Sequence, residues 1–236
     1  MLRLDNTYLR IQIGTISVKK EQLQWLVEWL VELHLQVEKV ASFGCGIGTE
    51  TLALMWALGA SEAVGIDKDE ESIDQARSTL TNIRDYIKRI QRTLQYYRDL
   101  PEDLETWWDV VAPSFFKEEL LREGNVEFLV RDITESTGLQ SDYYDVAFCD
   151  SVLYHIWLDQ GGEEKTQRAI EEMVRGVRLG GAVAVSEPTQ CTDEPTYDID
   201  FKPLFGQAGL KPIHVKEKAH ERGRRTEYLY LKEGVA

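Results

Sequence analysis

Hydrophobic positions along this 236-residue chain switch between two periods, and each switch marks the border of an expected strand or helix. Residues 7–13 (Thr-Tyr-Leu-Arg-Ile-Gln-Ile) alternate, which predicts a strand or an ordered arm ending at Gly14. Across 18–35, Leu23, Leu26, Val27, Leu30, Val31, Leu33 and Leu35 recur at helical steps and predict a helix with one buried face. His34 on that helix reads as a packed or half-exposed side chain without chemistry. A short apolar strand at 40–43, an apolar helix at 49–58 closed by Gly59, and a second strand at 63–66 ending in Asp67 come next. Glu70 opens a long helix through Ile73, Ala76, Leu80, Ile83, Ile87, Ile90 and Leu94 that Pro101 stops, and 115–121 suggests another short helix. Strands are expected at 126–130, 145–149 and 182–186, with helices near 164–177 and 201–208. A final pair of strands, 211–218 and 225–232, reads as a hairpin around 221–224.

This strand–helix alternation predicts an α/β fold, a Rossmann-like, mostly parallel sheet with helices on both faces. The strand at Val126 starts 59 residues after Asp67, about 35 more than an ordinary crossover needs. The excess reads as a helical insertion at about 78–123, between the second and third strands and over the sheet's ligand edge. Its aromatics, Tyr86, Tyr96, Tyr97, Trp107, Trp108, Phe115 and Phe116, either form the insertion's own core or face a substrate. No repeat or low-complexity tract interrupts the chain, so a single domain over 1–236 is expected, with an N-terminal arm and helix at 1–36.

The most specific signal is the turn after the first strand, where Gly44, Gly46 and Gly48 precede an apolar helix and Asp67 follows 19 residues after Gly48. Glycines at a strand-to-helix turn admit positive φ and let a ligand approach the main chain, and an acid at the next strand's end can accept both ribose hydroxyls. A dinucleotide turn has the order G-x-G-x-x-G; here the order is G-x-G-x-G, and Thr49 takes the third glycine's place. The chain resembles the class I S-adenosylmethionine-dependent methyltransferases over about 18–68 and 124–232. Leu179-Gly180-Gly181 and the segment 204–210 are arranged as in that family's small-molecule members.

The resemblance implies a seven-stranded sheet with one antiparallel strand and S-adenosyl-L-methionine as cofactor. Phe43, Gly44, Cys45, Gly46 and Gly48 would hold the methionine portion, with Asp150 and Ser151 beside it, and Asp67 would hold the ribose. Asp132, which could instead cap a turn, would take the adenine amino group, with Lys68 and Ile133 flanking the ring. The family's usual acid two residues before the first glycine is Ser42 here, so the contact to the methionine amino group passes to Asp150, backbone carbonyls or water. An acceptor that must lose a proton needs a base. His155, just past the fourth strand, is the candidate catalytic base, Tyr154 beside it is the second catalytic candidate, and Tyr154 and Glu187 could hold substrate.

Charge narrows the partners. With 27 basic and 41 acidic residues the net charge is −14, a field that repels nucleic acid and anionic membranes. Arg222, Arg224 and Arg225 cluster at the hairpin turn and read as solvated. Cys45, Cys149 and Cys191 have no framework or metal spacing, and no apolar signal core or membrane span is apparent, which predicts a cytoplasmic protein without a metal. The Asp/Asn-Pro-Pro-Tyr/Phe motif of amino methyltransferases of nucleobases is absent, with Asp150-Ser151-Val152-Leu153 in its place. The expectation is methyl transfer to N, O or C of a small molecule, with a homo-oligomer contact through the insertion. The alternatives are a protein or RNA substrate, or a non-catalytic cofactor-binding module.

Overall fold

In the computed structural model the described residues are 7–96, 114–159, 162–192, 196–220 and 223–233. Two helices, α1 (Thr7–Gln22) and α2 (Gln24–Glu32), precede β1 (Lys39–Phe43), α3 (Thr49–Leu58), β2 (Glu62–Asp67) and the long α4 (Glu70–Tyr96). Helix α5 (Ser114–Leu121), β3 (Val126–Val130), β4 (Tyr144–Asp150), α6 (Leu153–Asp159) and α7 (Gly162–Gly176) follow. The chain continues through β5 (Val177–Cys191), the two-residue β6 (Tyr197–Asp198), α8 (Lys202–Gln207), β7 (Pro212–His220) and β8 (Gly223–Leu231).

Strand order is β3-β2-β1-β4-β5-β8-β7, with β6 added beside β5. Strands β3, β2, β1, β4 and β5 pair in parallel, whereas β8 is antiparallel to both of its neighbours, β5 and β7. The expected seven strands with one reversed are therefore present, and β6 is an addition. Phe43 pairs with both Ile66 and Cys149, Asp67 with Val130, and Asp150 with Ser186. The strands thus end level, at one edge, and the chain leaves β1 in opposite directions toward β2 and β4, which is where open α/β sheets bind ligands.

Residues 7–13 correct one expectation, because they are helical. The alternation there is incidental: Ile13 and Ile16, three residues apart, are buried, Leu23 and Leu26 continue the stripe, and α1 packs on α3. Gly14 does not break the helix, and a Cβ there would meet nothing within 4 Å. Residues 179–181, ahead of the strand expected at 182–186, lie inside the longer β5. Helix α4 runs as its periodicity predicts, with Ile73, Ala76, Leu80, Ile83 and Ile87 buried. Tyr86 is buried in the same cluster, on the core side of the choice offered above. Tyr97, Trp107 and Trp108, together with the side chains of Tyr96, Phe115 and Phe116, lie outside the described residues.

One core cluster joins α1–α4 to the sheet face that includes Val40, Phe128 and Val146, and the other joins α6–α8 to the face with Phe43, Ala147 and Val185. Asp145 ties the start of the sheet together. Its Oδ2 accepts the amides of Glu38 and Lys39 at 2.7 and 2.8 Å, and Arg178 pairs with its Oδ1. The layering of the described elements is that of a doubly wound sheet.

Candidate active site

Strand β1 delivers the chain into the glycine turn. Gly44 has φ +73°, and a Cβ there would lie 2.3 Å from Val152 Cγ2, so both the dihedral and the packing demand glycine. The N–H groups of Gly44 and Cys45 both donate to the carbonyl of Ile66, at 2.8 and 3.0 Å, which fixes the turn against β2. Asp67, at the end of β2, accepts Gly46 N–H on Oδ2 at 2.9 Å and Asp69 N–H on Oδ1 at 3.0 Å. Each oxygen keeps a second lone pair for a ligand hydroxyl.

A cleft of about 370 Å³ lies along the strand ends, lined by Gly44, Asp67, Lys68, Asp132, Ile133, Asp150, Ser151, Val152, His155 and Ile156. From β3 to β4 it crosses roughly 14 Å of sheet edge, three strand spacings. Most of the expected cofactor residues meet in this one cleft. Phe43, Cys45 and Gly48 are buried behind the turn, and they and the half-buried Gly46 do not line it. Asp132 caps a turn, one of its two readings: Oδ1 accepts Thr134 N–H and Oγ1–H, each at 2.8 Å, while Oδ2 has no bond among the described residues. His155 packs against Tyr154 with ring centroids 3.9 Å apart and planes tilted by 35°, on the part of the wall that also holds Ile156.

Asp150 and Ser151 are also the wall of a second cavity of about 400 Å³, bounded by Lys19, Trp25, Glu50, Phe148, Arg225 and Glu227 among others. Neither His155 nor Tyr154 reaches it. Ser151 holds φ +60°, a conformation that disfavours a side chain, and is kept there from several directions. Its N–H donates to Ser186 O at 2.9 Å, and Arg225 donates to its Oγ from both terminal nitrogens at 3.0 Å. Arg225, expected to be solvated, is instead a half-buried bridge. It pairs with Asp150 and donates to Ser186 Oγ at 2.8 Å, because β8 lies next to β5 and turns this side chain across the strand ends. Arg224 next to it does lie outward, paired with Asp198 and Glu217.

The acid missing at Ser42 returns from the helix. Ser42 Oγ donates to Glu50 Oε1 at 3.2 Å, and Lys19 Nζ stands 3.9 Å from Glu50 Oε2 and 3.3 Å from Asp150 Oδ2. Glu50, in the first turn of the otherwise apolar and buried α3, thus places a carboxylate beside the position the family reserves for one. A charged residue in such a helix was the one available signal for it.

No family model matches the chain. Curated relatives match in part. Ribosomal protein L11 methyltransferase of Photorhabdus laumondii is 34% identical over 90 residues, 37% of this chain and 28% of the relative. That of Xanthomonas oryzae is 33% identical over 112 residues, 48% of this chain and 34% of the relative. The chain thus spans about a third or less of the length of these relatives. Solved structures match over nearly the whole chain. Magnesium protoporphyrin IX methyltransferase from Synechocystis with bound SAM superposes at TM-score 0.55 and 16% identity, covering 93% of this chain and 83% of that one. An S-adenosylmethionine-dependent methyltransferase from Clostridium acetobutylicum gives 0.59 and 10%, covering 89% and 90%. The chain has the class I S-adenosylmethionine-dependent methyltransferase fold.

Within that fold the residues present fit an S-adenosylmethionine-like ligand. The paired lone pairs of Asp67 suit a diol, Oδ2 of Asp132 suits an amino group, Ile133 offers an apolar face, and the Gly44 turn leaves no side chain between backbone and cleft. The thiols of Cys45 and Cys149 are pushed up by burial, so neither is an activated nucleophile. Among the described residues no group of His, Cys, Asp and Glu could hold a metal ion, and no helix is long and apolar enough to cross a membrane.

Glu187, offered above as a substrate contact, does something else. Its carboxylate is fully buried and accepts the amides of Val152 and Leu153 on Oε1 at 3.0 Å each and that of Tyr154 on Oε2 at 3.3 Å. It caps the N-terminus of α6 from β5, satisfying donors that a helix start leaves open.

Burial pushes Glu50 up to about 7, against the opposing pull of Lys19 and the Ser42 hydroxyl and with the help of Glu187. The folded chain therefore keeps a proton on Glu50 that the unfolded chain releases near its ordinary value of 4.5. Stability must fall as pH rises between those values and level off above 7, by up to ~3 kcal/mol for this one group. Glu50→Gln is expected to remove that fall. Urea unfolding at pH 5 and pH 8 checks it, and equal pH slopes in the two proteins would refute it.

Proposed function

We propose that the protein is a methyltransferase that uses S-adenosyl-L-methionine and methylates an N, O or C atom of a small molecule. One observation supports this above others: the cleft over Asp67 and Asp132 shares the Asp150–Ser151 wall with a second cavity of about 400 Å³. Two cavities that adjoin at Asp150 and Ser151 can hold a donor and an acceptor side by side, and in-line transfer requires that the two meet there. When bound, the cofactor supplies an electrophilic methyl on a sulfonium. Asp67 orients the ribose, Asp132 and Ile133 the adenine, and the glycine turn admits the methionine portion. Ser151 and Asp150, locked by Arg225, set the border between the donor and acceptor sides. His155 lines the cofactor cleft with Tyr154 packed against its ring, and neither lines the second cavity. The net charge of −14 disfavours a nucleic-acid partner and suits a cytoplasmic protein.

A second reading rests on the partial matches to proteins named ribosomal protein L11 methyltransferase, in which the acceptor is a protein side chain entering the second cavity. Methyl-tritiated S-adenosylmethionine separates the two. The small-molecule reading expects label to appear in the dialysable fraction of a metabolite extract and not in added ribosomal protein L11. Label on L11 alone reverses the choice, and cofactor binding without transfer to either leaves a binding module.

A further inference from the structure

The second cavity carries more than its size. Glu227, on β8, lines it and is 3% exposed; Lys218 pairs with its Oε1, and its Oε2 has no hydrogen-bond partner among the described residues. A buried carboxylate oxygen without a donor costs free energy that a ligand N–H would recover. Glu50 stands on the same cavity with lone pairs left over after Ser42. Trp25 and Phe148, their rings 6.5 Å apart, supply the aromatic wall. The cations on the cavity are already engaged: Arg225 with Asp150, Ser151 and Ser186, Lys19 with Asp150 and Glu50, and Lys218 with Glu227. The acceptor on this cavity left without a donor among the described residues is Glu227 Oε2.

Resting on the methyltransferase reading above, we propose that this cavity is an acceptor pocket for a small amine carrying an apolar group, with Glu227 Oε2 holding the ammonium and Glu50 taking its proton. Carboxylates beside an aromatic face are the chemistry that recognises an organic ammonium. In the step assigned to Glu50, one N–H bond breaks, the proton bonds to a carboxylate oxygen of Glu50, and the electron pair stays on nitrogen as the free lone pair a nucleophile needs. The proton then leaves to solvent. A carboxyl that titrates near neutrality is matched to that exchange, and Lys19, Asp150, Arg225 and Glu187 are the charged groups around it.

The test is calorimetry on the full chain with three probes that share one skeleton, 2-phenylethylamine, 2-phenylethanol and phenylacetate, with and without saturating S-adenosylhomocysteine. The amine is expected to bind at least tenfold tighter than the alcohol or the carboxylate. Glu227→Gln is expected to cut amine affinity at least tenfold, with S-adenosylhomocysteine affinity within twofold of the wild type, and Glu50→Gln is expected to cut amine affinity at least threefold. Tighter binding of phenylacetate, no preference, or no binding of any probe overturns the proposal. So does an amine preference that survives Glu227→Gln. The wild-type preference stands as a test even where a variant does not fold. Failure of S-adenosylhomocysteine to bind would instead overturn the methyltransferase reading, which the amine titration without it does not depend on.

Discussion

Asp67→Ala is expected to weaken S-adenosylmethionine binding by about 1.5–3 kcal/mol, between tenfold and roughly 150-fold in Kd. Two losses contribute. The ribose loses a charged acceptor, and Gly46 and Asp69 lose the carboxylate that holds their amides at 2.9 and 3.0 Å. The second loss distinguishes this site from a simple ribose contact, because it frees the glycine turn that approaches the methionine portion. Asp67→Asn separates the contributions. It keeps one carbonyl oxygen for a backbone amide but brings an NH₂ toward the other donor, so an intermediate affinity is expected. Titration calorimetry with S-adenosylmethionine and with a nicotinamide dinucleotide decides the matter. An unchanged Kd in Asp67→Ala, or tighter binding of the dinucleotide by the wild type, would remove this cleft as the cofactor site.

The parts of this molecule that depend on near neighbours in sequence were legible without a structure. The G-x-G-x-G turn, the strand ending in Asp67 and the long α4 follow from local periodicity and from the steric demand for glycine at Gly44. The turn-capping reading of Asp132 was legible too, because its Oδ1 bonds to Thr134 lie within three residues of sequence. Helix α1 was misread because Thr7 to Ile13 alternate by accident, and only packing of Ile13 and Ile16 against α3 reveals the helical face. The second cavity was illegible for a different reason. Lys19, Glu50, Asp150, Arg225 and Glu227 come from α1, α3, β4 and β8, and they meet only because β8 inserts between β5 and β7. Arg225 looked like a solvated hairpin residue and Glu187 like a pocket acid. Both assignments failed because long-range pairing across β5 and β8 decides where those side chains go.

Glu187 also gives the largest expected effect on stability. Alanine there leaves the amides of Val152, Leu153 and Tyr154 without their acceptor at the start of α6. A lost cap alone costs about 0.5–2 kcal/mol, and a buried amide without a partner about 1–3. Val152 and Tyr154 are only half-buried, so water can reach them, and Leu153 carries most of the penalty. Against this, burial pushes the Glu187 carboxyl up to about 7, so its charged form is itself a strain above neutral pH that alanine relieves. Because the folded value is raised, that strain is absent below about pH 4.5 and grows as pH rises toward 7. Glu187→Ala should therefore cost most at mildly acidic pH, about 2–4 kcal/mol at pH 5.5, and less at pH 8. With roughly 2–4 °C of Tm per kcal/mol in a chain of this size, melting should drop by about 5–15 °C at pH 5.5. Glu187→Gln keeps one acceptor oxygen and loses the titration, so it should lie between alanine and wild type at pH 5.5 and approach or pass the wild type at pH 8. The cap also sets the start of α6, next to Ser151 and Val152 on the cleft wall, so S-adenosylhomocysteine affinity should fall with stability in the alanine variant and recover in the glutamine one. Thermal melts at the two pH values, each paired with one titration, test all of this. A Tm within 2 °C of wild type for Glu187→Ala at pH 5.5 would show that α6 does not depend on this carboxylate.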